Sequence, residues 1–174
     1  MNTKQSQRGF TLIETLVYLA LFALIMGGAV VAAYNMFESS GRSHTRAMIQ
    51  EEGDFITAKI DWSLSGIQSI STPPTPGAGV SCAISPTLSV SKWDTSVGTI
   101  IVDLVGGNMR LSRGGNPAQG LNNTNITVSN LSFSHCYTGV NDPESVSASF
   151  TLSARTPNGM MMTQDFFTSQ HLRK

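Results

Sequence analysis

Positions 15–37 form a run of 23 residues without one charged side chain, bounded by Glu14 and Glu38. No other feature restricts the fold as strongly. About 20 apolar residues at about 1.5 Å each span a hydrocarbon core of about 30 Å. The run is hydrophobic all round, as a span that meets lipid on every side must be. The run therefore predicts a single membrane span. Lys4 and Arg8 precede it, and flanking positive charge keeps an N-terminus cytoplasmic. Residues beyond about position 38 then lie outside, a direction that Arg42 and Arg46 oppose weakly. An ordinary secretory signal has an apolar core of only about 7–15 residues, shorter than this run. Glu14 is the anomaly, because a carboxylate at the centre of a span costs roughly 2.5–3.5 kcal/mol on insertion scales. An acid so placed is a functional candidate.

The residues around that acid read Arg8-Gly9-Phe10-Thr11-Leu12-Ile13-Glu14, followed by Thr15-Leu16-Val17. This tract resembles the type III signal of type IV prepilins and pseudopilins. The resemblance covers roughly the first 30 residues. It implies that a prepilin peptidase cuts between Gly9 and Phe10 and that the new amine of Phe10 is methylated. Glu14 becomes the fifth residue of the mature chain. The resemblance also implies a role for Glu14: it receives the N-terminal amine of a neighbouring subunit. In low dielectric such a pair attracts far more strongly than in water and offsets the desolvation of both groups. A carboxylate that only snorkels to the lipid headgroups is the simpler alternative.

The implied protein is a minor pilin or minor pseudopilin, a structural subunit of a type IV pilus, a type II secretion filament or a DNA-uptake machine. The long, irregular β region and the lack of any proline before Pro73 favour a minor over a major role. Implied partners are the peptidase, other pilin or pseudopilin subunits, an inner-membrane assembly platform and the lipid bilayer. The implied location is the bacterial inner membrane with a periplasmic or extracellular domain, and after assembly a pilus or pseudopilus. The alternative is a bitopic anchor whose β-domain binds a ligand or protein and never assembles.

Gly27-Gly28 interrupts the apolar run, and each glycine costs a helix about 1 kcal/mol relative to alanine. Close helix–helix approach through Gly27, Gly28, Ala32 and Ala33 is one reading; local melting on assembly is the other. Beyond the span, Ile49, Phe55, Ile56, Ile60, Leu64 and Ile67 recur at helical spacing, with Trp62 at the edge of the stripe. Glu51, Glu52, Asp54, Lys59 and Asp61 fill the other faces, the pattern of a helix with one buried face. One helix from about Thr11 to about Ser69 is expected, ended by Pro73, Pro74 and Pro76. The domains are then a leader (1–9), the transmembrane and assembly half of the helix (10–37), its amphipathic half (38–70) and a β-rich domain (71–174). The fold class is α+β: a long N-terminal helix on an antiparallel sheet.

Within the β region, positions 99–104 and 108–112 flank Val105-Gly106-Gly107, a hairpin signal. Positions 125–133 form a further strand whose phase slips near Ser129-Asn130, predicting a bulge. Val146, Ala148, Phe150, Leu152 and Ala154 alternate with Ser and Thr, marking a strand with one wet face. Pro157-Asn158-Gly159 is a turn, and a last strand runs from Met160 to about Ser169. Strands near 79–84 and 88–93 are weaker.

Cys82 and Cys136 are the only cysteines. On the outer side of a membrane they could form one disulfide; two separate thiols are the alternative. No catalytic group assembles from the sequence, and the chain reads as a non-enzyme without cofactor or metal. His44, His135 and His171 are scattered. His135 and Cys136 are adjacent, so on a strand they point to opposite faces. Asp142 and Glu144 fall far short of the 6–8 oxygens that calcium takes. Removing Lys4 and Arg8 with the leader shifts the formal charge from 0 to −2. No strong nucleic-acid signal remains, even if Arg110, Arg113 and Arg155 came together.

Overall fold

A computed structural model describes residues 11–77, 82–137 and 144–172. Helix α1 (Leu12–Leu64) is followed by nine strands. These are β1 (Ile67–Thr72), β2 (Cys82–Ser85), β3 (Leu88–Lys92), β4 (Thr99–Val105), β5 (Asn108–Arg113), β6 (Gln119–Gly120), β7 (Ile126–Cys136), β8 (Ser145–Arg155) and β9 (Met161–His171). The chain divides into two compact units, Met1–Gly41 and Arg42–Lys174.

The first unit holds the apolar part of α1. Its side chains meet nothing that covers them: Leu12, Leu24 and Phe37 are each at least 75 % exposed. It is the one helix among the described residues long and apolar enough to cross a membrane.

In the second unit the rest of α1 supplies one wall of a core. Ile49, Ile56, Ile60 and Leu64 are buried, at the spacing that puts them on a single helix face. Leu88, Val90, Ile100, Val102 and Met109 come from a five-stranded antiparallel sheet ordered β1-β3-β4-β5-β6. Val128, Phe133, Phe150 and Leu152 come from a second antiparallel sheet ordered β2-β7-β8-β9. All join one hydrophobic cluster. The helix-plus-antiparallel architecture is the one expected, with the strands divided between two sheets.

Several local expectations hold. Val105 pairs with Asn108 across Gly106 and Gly107, whose φ values are 60° and 82°. A two-residue hairpin loop with both φ positive matches the strand twist and suits glycine. The register of β7 against β8 shifts between Ser129 and Ser132, and Asn130 has φ 53°, so the bulge falls where the phase slips. On β8 the five alternating apolar residues are all buried.

The helix ends earlier than the apolar spacing predicts. It stops at Leu64, and Ile67 opens β1 instead of continuing the helical stripe. Two features terminate it. Gly66 takes φ 58°, a left-handed conformation that closes a helix C-terminus. Lys92 of β3 donates to the carbonyls of Trp62 and Ser65, which satisfies orphan acceptors and places a cation at the negative end of the dipole. Phe55 also departs from expectation: it stays 45 % exposed, outside the buried stripe, while Trp62, expected at the edge of the stripe, is 40 % exposed.

Two contacts tie α1 to β9. Gln164 donates to Gln50 and Thr168 donates to Asp61 at 2.7 Å. Between them Gly53 lies under the ring of Phe166, where an added Cβ would come within 2.0 Å of Cζ. Phe166 is held there by stacking on Phe150 at 5.4 Å between centroids. Gly53→Ala is expected to destabilise by about 1–2 kcal/mol, because overpacking outweighs the gain in helix propensity. In a Phe166→Ala background the same change is expected to stabilise by up to about 1 kcal/mol. Urea denaturation of the four proteins checks the change of sign.

Candidate functional site

The features with functional potential fall into two groups: the N-terminal stretch of α1, and polar clusters of the second unit. Gly9 and Phe10 lie outside the described residues. Glu14 sits in the first turn of α1, half-exposed. Its amide and that of Thr15 donate to the carbonyl of Thr11, at 3.1 and 3.3 Å, and the Thr15 hydroxyl donates to Leu12 O at 2.8 Å. A carboxylate in this position faces the positive end of the helix dipole. Gly27 and Gly28 are helical, and a Cβ built on either meets no atom within 4 Å. Nothing among the described residues requires glycine there.

Cys82 and Cys136 are directly opposite in the β2–β7 register and form a disulfide. The link spans 54 positions; loop closure of that size stabilises by roughly 4 kcal/mol in the chain-entropy account. It anchors the short edge strand β2 to the long β7.

His135, next to Cys136, is fully buried. Its Nδ1 lies 3.1 Å from Pro73 O and its Nε2 contacts a Glu144 carboxylate oxygen. The imidazole thus joins β7 to the segment after β1 and to the start of β8. Glu144 is engaged by this ring, and Asp142 lies outside the described residues. Among the described residues no three of His, Cys, Asp and Glu gather in a metal-binding group. His44 lies on α1, and His171, at the end of β9, pairs across the sheet with Ser145, the residue after Glu144. Arg110 forms a two-point pair with Asp103 across β4 and β5, at 3.0 and 2.6 Å. Arg113 ends β5 and Arg155 ends β8 in the other sheet, so the three arginines do not form a single patch.

Lys92 was not legible as a site residue. Besides closing α1, its ammonium stands 4.5 Å from the centroid of the Trp62 ring, a cation–π contact. A lysine in a strand read from sequence carries no mark of such a partner, because Trp62 is 30 positions away.

Residues 4–30 match the family described as "Prokaryotic N-terminal methylation motif". That motif is the signature of type IV prepilins and pseudopilins. The matched stretch includes Gly9, Phe10, Glu14, Gly27 and Gly28. Neither a curated protein nor a solved structure matches the chain. The motif indicates a structural, pilin-like protein. Together with the long apolar helix it supports anchoring in a membrane. It also implies processing by a prepilin peptidase and assembly with other pilin subunits.

Burial, and secondarily the Arg113 guanidinium, hold the Lys92 ammonium below the ordinary lysine value of 10.5. The unfolded chain therefore keeps this proton to higher pH than the folded one. Between the two pKa values the unfolded state binds more protons, so this group makes stability rise with pH. Lys92→Met is expected to lower stability at neutral pH by about 1–2 kcal/mol, from the lost donor to two helix-end carbonyls. The deficit is expected to widen as pH climbs toward 10.5, because only the wild type gains there. Denaturant titrations of both proteins from neutral to alkaline pH check both effects.

Proposed function

We propose that this chain is a minor pilin or minor pseudopilin, a structural subunit of a type IV pilus or a type II secretion-type filament. The observation that carries the reading is the prepilin-type motif at residues 4–30 running directly into an uncovered apolar helix. In this reading residues 1–9 are a leader and the peptidase cuts between Gly9 and Phe10. Methylation of Phe10 follows. Residues 10–37 span the bacterial inner membrane with the N-terminus cytoplasmic, and then drive assembly. Residues 38–70 and 71–174 form the periplasmic or extracellular part. An inner-membrane assembly platform and the bilayer itself are the further partners.

Glu14 and Phe10 divide the work between them. Cleavage creates an amine at Phe10, and the Glu14 carboxylate of one subunit receives the amine of the next. The pair is attractive because each group alone is poorly solvated at the membrane edge. Gly27 and Gly28 are where neighbouring helices come close. Their cost to the helix is not repaid by any neighbour within the described residues, which is the expected pattern for a contact between chains.

Mass spectrometry of the N-terminus, from membranes with and without a prepilin peptidase, tests the reading. A methylated Phe10 terminus is expected with the peptidase and an intact leader without it; an intact leader in both would sink it. Glu14→Ala is expected to leave cleavage unchanged while in-membrane cross-linking to other subunits falls by about tenfold, as loss of roughly 1.4 kcal/mol of pairing implies. Unchanged cross-linking of the alanine variant would refute the pairing.

A further inference from the structure

On the face of α1 turned away from the core stripe, a cleft of about 550 Å³ opens between the helix and the β5–β6 end of the first sheet. Phe55, Lys59 and Trp62 form one wall; Arg113, Asn116 and Gln119 lie along the other. The helical residues are spaced i, i+4, i+7 and so share one face. The Phe55 and Trp62 rings, 45 % and 40 % exposed, together give the cleft an apolar floor that an apolar side chain can cover.

The charged side chains that line the cleft, Lys59 and Arg113, are both cations. The Lys59 ammonium stands 5.3 Å from the Phe55 centroid. Lys92 stands against Trp62, and Arg113 is close enough for its charge to act on Lys92. No carboxylate lines the cleft, and the acids nearby are engaged elsewhere. Glu52 accepts from the Asn123 amide, Asp54 from Gln50 and Asp61 from Thr168. Asp94, which also feels Arg113, accepts from the Ser96 amide at 2.9 Å. Glu51, one turn before Phe55, is not part of the cleft wall. Neither Lys59 nor Arg113 has an ion-pair partner among the described residues.

We propose that this cleft is a docking site for an acidic, apolar peptide segment of a partner protein: carboxylates flanking an aromatic or large aliphatic side chain. The apolar side chain would lie on Phe55 and Trp62, and the carboxylates would meet Lys59 and Arg113. The amides of Asn116 and Gln119 can serve peptide groups. β6, at the end of its sheet, offers an edge on which an extended segment can lie. The volume suits a few side chains, within the range of about 300–1,000 Å³ usual for specific pockets. A nucleic-acid strand is disfavoured, because it needs a continuous basic track and the chain without its leader carries a formal charge of −2.

The full chain in detergent micelles, with Trp93→Phe so that Trp62 is the sole indole, reports binding through its fluorescence. The probe is the blocked pentapeptide Gly-Asp-Phe-Asp-Gly, compared with Gly-Asn-Phe-Asn-Gly and with a ten-nucleotide oligothymidylate. Only the acidic peptide is expected to change Trp62 emission saturably, and added salt should weaken it. Lys59→Gln and Arg113→Gln are each expected to weaken it about threefold, the effect of losing one exposed ion pair. Both side chains are exposed, and thermal melts of the variants confirm folding. Equal binding of the asparagine peptide, no response to the acidic one, or unchanged binding by the double variant would overturn the proposal. Binding of the oligothymidylate alone would replace it with a nucleic-acid site.

Discussion

The apolar half of α1 has to leave water, and the folded chain gives it nowhere to go. None of the span's residues is buried among the described ones. Each fully exposed Leu, Ile, Val or Phe forgoes roughly 1.5–3 kcal/mol relative to burial. Twelve Leu, Ile, Val and Phe side chains of residues 12–37 stay more than half exposed, a total comparable to or beyond the whole stability of a small domain, roughly 5–15 kcal/mol. No rearrangement of a 133-residue second unit can answer a demand of that size. The solution has to come from lipid or from other apolar helices. The second unit has a hydrophobic core of its own.

Within the second unit α1 changes from a helix without a polar side to a helix with two distinct faces. One carries Ile49, Ile56, Ile60 and Leu64 into the core. The other carries Phe55, Lys59 and Trp62 toward the cleft. Both stripes obey the same helical period, which is why sequence spacing alone placed Phe55 with the buried set and Trp62 at its edge. What separates them is the sheet opposite. Strands β3, β4, β7 and β8 cover one face with apolar side chains, whereas the other meets Arg113, Asn116 and Gln119.

Local chemistry was therefore legible and long-range chemistry was not. Gly106-Gly107, the Ser129-Asn130 slip and the alternation of β8 each depend on residues within a few positions of one another, and their structural outcome follows from backbone preferences. The early end of the helix depends on Lys92, brought back to Trp62 and Ser65 by the β1–β3 pairing. The engagement of His135 with Pro73 and Glu144 likewise needs three segments assembled. Division of the strands between two sheets is a matter of pairing order, which alternation along a single strand does not encode. The processing motif stood out for a different reason: its information is a contiguous run of residue types, legible before any folding.

The glycines of α1 show how a structure separates internal from external causes. Gly53 and the pair Gly27-Gly28 carry the same helical cost, about 1 kcal/mol each relative to alanine. At Gly53 the cause is on view, since the Phe166 ring occupies the space a Cβ would need. At Gly27 and Gly28 that space is empty, so the chain's own described residues give no reason to forgo alanine. Both residues are helical in the single chain. In the proposed filament a neighbouring helix would meet α1 there, at a backbone-to-backbone distance that only small residues permit. The same neighbour would cover the apolar span, so that one proposed contact answers both the exposed side chains and the glycine pair.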